Sequence, residues 1–526
     1  MIISYPRFLL RLMLALGVVW GTVYLAMRGQ STFAALCLTL GILAVYLFKD
    51  ARQIVRHTAH FSSKFELHSL TRSPLKGDGV LLGFAYRSLL SLRPGTAGKQ
   101  ELGHFLWVGP SRSGKGLSIA SNLLHWEGSA VVVDIKGELA AQTAGYRREV
   151  LGQRVFILNP SSGEASHQYD PFAALVTNEQ IYAAAIAYMQ PDKDGANAVF
   201  ALRASAALAA IIRAAKVQEV PVIELLRDVL YHPLGVQGAM LSLQRLSDPQ
   251  VSRWINAFLS KDPDKVDWRE AAADRFLNNS WQRLLIATQN LMTQGVAHLL
   301  GGSDFTPADL VEGRTTVYLV FRESELAMNL PILNLVIDSL FRSIMRRYDL
   351  NPDLPGEKLL AVFDEAYRAT PLMLPEYAAT LAGRGISMCI YVQSLAQLSD
   401  LWGKEGRTAI MENVHTKIFL PAVDRSDSDR EGTSKFISDS CGKYMVEDRG
   451  LGKSEHEHEL SSTVRFTERE LVTTTDFAML SQGRSIIICN NLPPVLAYRL
   501  EPWRFREHRQ AAQYSIPKVV CPVLSS

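Results

Sequence analysis

Cysteine is nearly missing from this sequence: five in 526 residues, at Cys37, Cys389, Cys441, Cys489 and Cys521. No two are spaced as a metal-ligand pair, and most lie in or beside apolar runs. That excludes a disulfide-stapled secreted fold and a zinc module, and leaves reduced thiols in a cytosolic body. A dominant sign of charge is missing too. Fifty-five Lys and Arg face 52 Asp and Glu, a net charge of +3, so composition by itself says nothing about nucleic acid. Apolar side chains are plentiful at 48%, enough for two or three domains with sizeable cores.

Charge is also absent from two stretches near the start. Leu12 to Met27 carries none, and after Arg28-Gly29-Gln30 neither does Ser31 to Phe48. Each approaches the roughly 17–25 residues of a spanning helix. No small-residue cleavage site follows the first stretch, so residues 1–55 are predicted as a two-helix transmembrane hairpin rather than a signal peptide. Arg7 and Arg11 precede it, Lys49, Arg52 and Arg56 follow it, and only Arg28 lies in the turn. The positive-inside rule then puts both ends, and the large body, in the cytoplasm.

Gly109-Pro110-Ser111-Arg112-Ser113-Gly114-Lys115-Gly116 is the stretch around which the rest is organised. An apolar run, His104 to Val108, precedes it, and a helix-compatible run from Leu117 to Trp126 follows. Strand, glycine-rich turn and helix form the context of a phosphate-binding loop. Backbone N–H groups point inward, the helix N-terminus adds partial positive charge, and the Lys115 ammonium can reach the β- and γ-phosphates. The Ser or Thr hydroxyl that would bind magnesium after the lysine is missing, because Gly116 stands there.

Ala130–Val133 and Val155–Leu158 read as strands buried on both faces. Asp134 ends the first, where ligands bind in such sheets; Glu138 reads equally as a helix-start carboxylate. From Asn178 to Gly301 strand signal gives way to helical stretches, Ala196–Lys216, Val222–Tyr231, Gly235–Leu246 and Asp274–Leu300. These predict an all-α insertion at 178–301 whose mixed charges form a solvated surface. The sheet resumes at Thr316–Phe321, a helix covers Leu330–Arg347, and Leu359–Phe363 runs into Asp364-Glu365. Such a pair completes an NTP-hydrolysing site: Asp364 holds Mg2+ through water, and Glu365 polarises the attacking water. The expectation is that this strand lies beside the one feeding the phosphate loop. Ser387–Val392 is a further strand ending at Gln393, which either senses the γ-phosphate or caps the strand. Lys417–Pro421 and Ser485–Cys489 complete the strands, Asp424–Ser462 reads as a charged flexible surface loop, and 507–526 as a loose tail.

In order, these blocks resemble the TraG family of type IV secretion coupling proteins. The resemblance is carried by the hairpin, the phosphate loop, Trp126–Ser129, Val133–Glu138, Thr143–Gly145, Tyr169–Pro171, Phe363–Glu365, Gly383–Ile386, Val392–Leu398, Arg465 with Glu468–Leu471, and Gly483 to Pro494. It departs from the family after the acidic pair, where Ala366-Tyr367-Arg368-Ala369-Thr370-Pro371 replaces a short stiff turn. The resemblance implies an α/β fold: a RecA-like P-loop NTPase domain in two parts, 56–177 and 302–506, with the inserted all-α domain and the anchor. It also implies an inner-membrane ATPase using ATP and Mg2+, assembling as a ring of six. Such a protein docks a relaxase–DNA complex or effector proteins on the secretion channel. Hydrolysis in such sheets commonly needs a cation from a neighbouring subunit, and Arg384 is the candidate, with Arg407 and Arg425 behind it. A membrane receptor that recruits without hydrolysing is the alternative, and a DNA pump of the FtsK type ranks below it.

Overall fold

Short runs such as Ala-Val-Val-Val and Leu-Leu-Ala-Val-Phe are apolar on both faces of a strand, so they are stable only inside a sheet covered on both sides. The computed structural model describes residues 59–71, 79–93, 102–161, 165–189, 196–351, 358–369, 373–421, 432–453, 460–489, 492–517 and positions 27, 29 and 519. Eleven of its strands form one mixed sheet. The parallel part holds β3 (Phe105–Val108), β4 (Ser129–Asp134), β5 (Arg154–Leu158), β6 (Thr315–Val320), β7 (Leu359–Phe363), β8 (Ile386–Val392) and β9 (Thr416–Phe419). Its order across the sheet is β9-β3-β8-β7-β4-β6-β5. Every residue of β3, β4, β7 and β8 is buried.

An antiparallel flank continues beyond β9. It comprises β12 (Arg484–Cys489), β13 (Val495–Tyr498), β1 (Val80–Ala85) and β2 (Ser88–Leu92). Because β12 runs against β9 and β13 against β12, β13 points the same way as β3. Its C-terminal end therefore emerges at the edge that carries the phosphate loop.

The expectation that the loop strand and the acidic strand are neighbours is corrected here. β3 pairs with β8 and β9, whereas β7 pairs with β8 and β4. After β7 the chain passes through the helix Leu374–Thr380 and lays β8 between the two. Strand spacing makes the gap about 10 Å, wide enough for a phosphate chain.

Between β5 and β6, themselves paired in parallel, the described residues from Asn178 to Leu300 form helices and no strand. The helix Ala196–Gln218 is central to them, packing against Asn178–Met189, Pro249–Leu259 and Arg275–Thr288. Among the described residues its Ala198–Gln218 stretch alone is long and apolar enough to cross a membrane, but 67% of it is buried in protein; it is a core helix. The hairpin expected at 1–55 lies outside the described residues apart from positions 27 and 29. The helical reading of Asp274–Leu300 divides into Arg275–Thr288, a turn, and Gln294–Leu300.

Two expectations on the periphery are overturned. Within the charged stretch, the helix Thr433–Cys441 is followed by β10 (Lys443–Lys453) paired with β11 (Leu460–Glu470), a two-stranded ribbon rather than a loop. The tail is packed as far as Pro517. Helix Arg506–Ala511 lies against the helices Lys115–His125 and Glu138–Glu149, and Tyr514 meets Tyr146 edge to face. Gly145 makes the close approach possible, since a Cβ there would lie 2.4 Å from the Ser515 carbonyl oxygen.

Candidate nucleotide-binding site

The phosphate loop turns from β3 into the helix Lys115–His125 at Gly114, whose φ of +109° caps that helix without a side chain. Arg112 also has a positive φ, +66°. Gly109 is required by contact: a Cβ would lie 2.7 Å from Ser113 Oγ and 2.8 Å from Leu420 Cβ. At Gly116 a Cβ would meet nothing within 4 Å. Ser111, Arg112 and Gly116 are exposed, whereas Ser113 and Lys115 are buried.

Lys115 folds back on its own loop, its Nζ donating to the Pro110 carbonyl at 3.0 Å and to the Gly109 carbonyl. Burial pushes its pKa down from the ordinary lysine value, against the pull of Asp364 and Glu365. Ser113 Oγ is buried with no hydrogen-bond partner. A lysine satisfied only by carbonyls, an orphaned hydroxyl and a helix N-terminus together suit a polyphosphate.

Asp364 and Glu365 follow β7 at the same edge. Burial, then the neighbouring carboxylates of Glu365 and Asp134, push the Asp364 carboxyl up to about 6. A buried acid close to two others is a natural seat for a divalent cation, which removes the repulsion that raises it. Glu365 has a left-handed backbone, φ +48°, a strained conformation of the kind found at functional sites. Its Oε1 accepts from Lys136 Nζ at 3.2 Å, and Arg368 Nε stands 4.0 Å from Oε2. Glu365 in turn raises the Lys136 ammonium pKa. Spacing along the sequence gave no sign of this pair, because Lys136 lies in the turn after β4, beside β7 in the sheet.

Asp134 is buried, its carboxyl pKa is raised by that burial, and its Oδ2 accepts from the Ala140 N–H at 2.8 Å. It fixes the start of the helix Glu138–Glu149, although its Oδ1 has no partner. Gln393 follows β8, between the loop and the acids. The Gly109 N–H donates to the Val392 carbonyl at 3.1 Å, and the Gln393 N–H to Gln397 Oε1 at 2.8 Å. So Gly109 to Gly116, Lys115, Asp364, Glu365 and Gln393 converge on one edge of the sheet.

Arg384 does not join them. It precedes β8, whose other end carries Gln393, so about 20 Å of strand separates the two. Its guanidinium holds Asp349 at 2.8 and 3.0 Å and the Thr380 carbonyl at 2.9 Å. Arg407 lies along the helix Ala396–Asn413 with Ser399 Oγ 3.4 Å away, and Arg425 is outside the described residues. Among the described residues no cluster of His, Cys, Asp and Glu has the makings of a metal centre of its own, and the His456–His458 stretch lies outside them.

Sequence reasoning missed one cation at the loop. Arg499, just after β13, lays its side chain over Gly114, and its Nη1 donates to the Ser113 carbonyl at 3.1 Å.

The family described as Type IV secretory system Conjugative DNA transfer matches residues 85–242 and 283–516. Protein VirD4 of Rhizobium radiobacter is 24% identical over 430 residues, 76% of this chain and 56% of that protein. Conjugal transfer protein TraG of Escherichia coli is 22% identical over 450 residues, 79% and 69% of the two chains. This chain thus spans little more than half the length of the VirD4 relatives. Among solved structures, the unbound bacterial conjugative coupling protein TrwBdeltaN70 superposes with a TM-score of 0.60 at 15% identity, covering 85% of this chain and 93% of that one. The plasmid coupling protein TrwB in complex with ADP and Mg2+ gives a TM-score of 0.58 at 15% identity, covering 85% and 94%. The fold is therefore the RecA-like α/β fold of these neighbours.

Proposed function

The chain belongs to the family of type IV secretory system conjugative DNA transfer proteins, and from that premise we propose that it is an inner-membrane coupling ATPase. It recruits a relaxase–DNA complex or effector proteins to the secretion channel and drives or gates their transfer. The observation that carries this reading is the meeting of the phosphate loop, Lys115, Asp364, Glu365 and Gln393 at one sheet edge. In the division of labour we propose, the loop amides and Lys115 bind the phosphates, and Gln393 reports the γ-phosphate. Glu365 takes the proton of the attacking water. Asp364 would hold Mg2+ through water, where the ion would neutralise charge developing on the phosphates.

Residues 1–55 are assigned as the membrane hairpin, 178–301 as the all-α domain at the cytoplasmic mouth, and the working assembly as a ring of six. Arg384, at the opposite end of β8 and held by Asp349, is assigned to act in a neighbouring subunit's site. The test is cargo transfer from cells carrying Lys115→Ala, with protein level and membrane insertion checked. Loss of transfer at normal level is expected; undiminished transfer would reduce the loop to a structural remnant.

Two further results are expected. With Gly116 in place of a hydroxyl residue, the isolated protein should hydrolyse ATP weakly. Gly116→Ser has the space it needs and should raise Mg2+-dependent turnover about tenfold, roughly 1.4 kcal/mol of barrier. Turnover measured across a magnesium titration decides it, and an unchanged rate refutes the missing hydroxyl as the limit.

The second concerns pH. Asp364, raised to about 6, contributes stability that is present below its unfolded pKa and is lost as pH rises through 6. Asp364→Asn should therefore raise the unfolding midpoint of the nucleotide-free protein above pH 6 and change little near pH 4. Because Mg2+ requires the ionised carboxylate, its affinity in the presence of ADP should fall about tenfold per pH unit below 6. Thermal unfolding of the two nucleotide-free proteins at pH 4 and pH 7.5 checks the first effect, and calorimetric Mg2+ titrations in the presence of ADP at pH 5 and pH 7.5 check the second.

A further inference from the structure

We infer that Arg499 is a second phosphate-binding cation of the nucleotide site, acting on the phosphates common to ATP and ADP. This rests on the nucleotide-site reading above. The N-terminus of the helix Lys115–His125 carries partial positive charge, which attracts anions and repels cations. Lys115 is already there, as a phosphate loop demands. Yet the Arg499 guanidinium lies over Gly114 as well. An ideal Cβ on Gly114 would be 3.1 Å from Arg499 Cδ, 3.2 Å from Nη1 and 3.7 Å from Cζ.

A second cation at a helix N-terminus is usually explained by a carboxylate beside it. Among the described residues Arg499 has no ion pair. Its one side-chain hydrogen bond runs from Nη1 to the Ser113 carbonyl, 3.1 Å away. Its Nε is buried with no partner at all, and a buried unsatisfied donor is costly. Two cations, an orphaned N–H, the orphaned Ser113 hydroxyl and a helix N-terminus converge there, and the acids that pull on Lys115, Asp364 and Glu365, make no ion pair with Arg499. A phosphate chain supplies the missing charge and the missing acceptors, and guanidinium is well shaped to bind it.

Topology says which phosphates. Arg499 follows β13, on the β9 side of β3, while Asp364, Glu365 and Gln393 follow β7 and β8 on the other side. The acids and Gln393 take the γ-phosphate end. Arg499, above the first residues of the loop helix, takes the part that remains after hydrolysis. Its backbone N–H donates to the Gly483 carbonyl at 2.9 Å, so the residue is fixed to the β12–β13 hairpin.

The test uses the full-length protein in detergent and measures dissociation constants for fluorescent ATP and ADP analogues, with the unfolding midpoint of the nucleotide-free protein. Arg499→Gln should weaken ATP and ADP equally, by about 10- to 100-fold for a lost charge-assisted contact. Arg499→Lys should recover part of that. The nucleotide-free midpoint should stay level or rise, because a repelled cation has gone. A lowered midpoint would make Arg499 a structural bolt through Ser113 and overturn the inference. Unchanged affinities in Arg499→Gln, with binding lost in Lys115→Ala, would overturn it alone. Unchanged affinities in both variants would bring down the nucleotide-site reading with it. Weakening confined to ATP would also overturn it, by moving Arg499 to the γ-phosphate.

Discussion

Glu365→Gln is expected to bind ATP as the native protein does and to turn it over about 10²- to 10⁴-fold more slowly once assembled, the usual worth of a general base. The substitution is close to isosteric, so the left-handed backbone at φ +48° and the packing around it are kept. What goes is the capacity to take a proton. The Lys136–Glu365 contact at 3.2 Å is also weakened, but Lys136 is 45% exposed, and such pairs contribute only about 0–1 kcal/mol. A folding defect is therefore not the expected cause of a lost rate. Nucleotide affinity, ATPase rate and cargo transfer should be measured on the same variant. Affinity held, rate lost and transfer lost is the pattern of an ATP-driven coupling protein. Affinity held, rate lost and transfer intact would put the non-hydrolysing receptor in front.

The half of the site built from local sequence was legible. Strand, glycine turn and helix lie within about twenty residues around Lys115, and Asp364-Glu365 closes a strand whose five residues are all apolar. What could not be read was anything decided by the order of strands across the sheet. β8 comes after β7 in the chain and inserts between β7 and β3, so two motifs expected side by side stand apart with Gln393 between them. The same order hides Lys136, which pairs with Glu365 from a neighbouring strand, and Arg499, which reaches Gly114 from the far end of the chain. Arg384 was legible only as a family position; its place at the opposite edge follows from its coming before β8.

Among the helices, Pro249–Leu259 carries a start signal of its own in Asp248-Pro249, with Asp248 Oδ1 accepting from the Gln250 and Val251 N–H groups at 2.9 Å. That signal was present. The β10–β11 ribbon left a weaker one: Thr463-Val464-Arg465-Phe466-Thr467 is rich in strand-forming residues, but the charged run around it obscures the pattern.

Arg147→Met should cost about 3–5 kcal/mol of stability, a large part of the roughly 5–15 kcal/mol a domain has. Arg147 is fully buried, at 0% exposure, and among the described residues no carboxylate meets it. Its Nε donates to Thr316 Oγ1 at 2.8 Å, its Nη1 to the Trp126 carbonyl at 2.9 Å and to the Leu123 carbonyl, and its Nη2 to the Gly128 carbonyl at 2.9 Å. Those carbonyls belong to the end of the phosphate-loop helix and the turn into β4, so one side chain holds the helix to the sheet. Burial lowers the guanidinium pKa to about 10, and it remains charged at neutral pH. A methionine removes the desolvation cost of that charge but leaves the Leu123 and Trp126 carbonyls without a donor, each worth about 1–3 kcal/mol, while Gln153 keeps the Gly128 carbonyl and the Thr316 hydroxyl partnered at 3.1 and 2.6 Å. The second effect outweighs the first. Arg147→Lys, with one ammonium in place of a fork, should fall between. Denaturant unfolding of the three proteins gives the order, and a loss below about 1 kcal/mol in Arg147→Met would mean that water had taken over the carbonyls. Because those carbonyls terminate the helix that begins at Lys115, the surviving folded fraction of Arg147→Met should also bind ATP more weakly, linking a residue that touches no nucleotide to the loop that does.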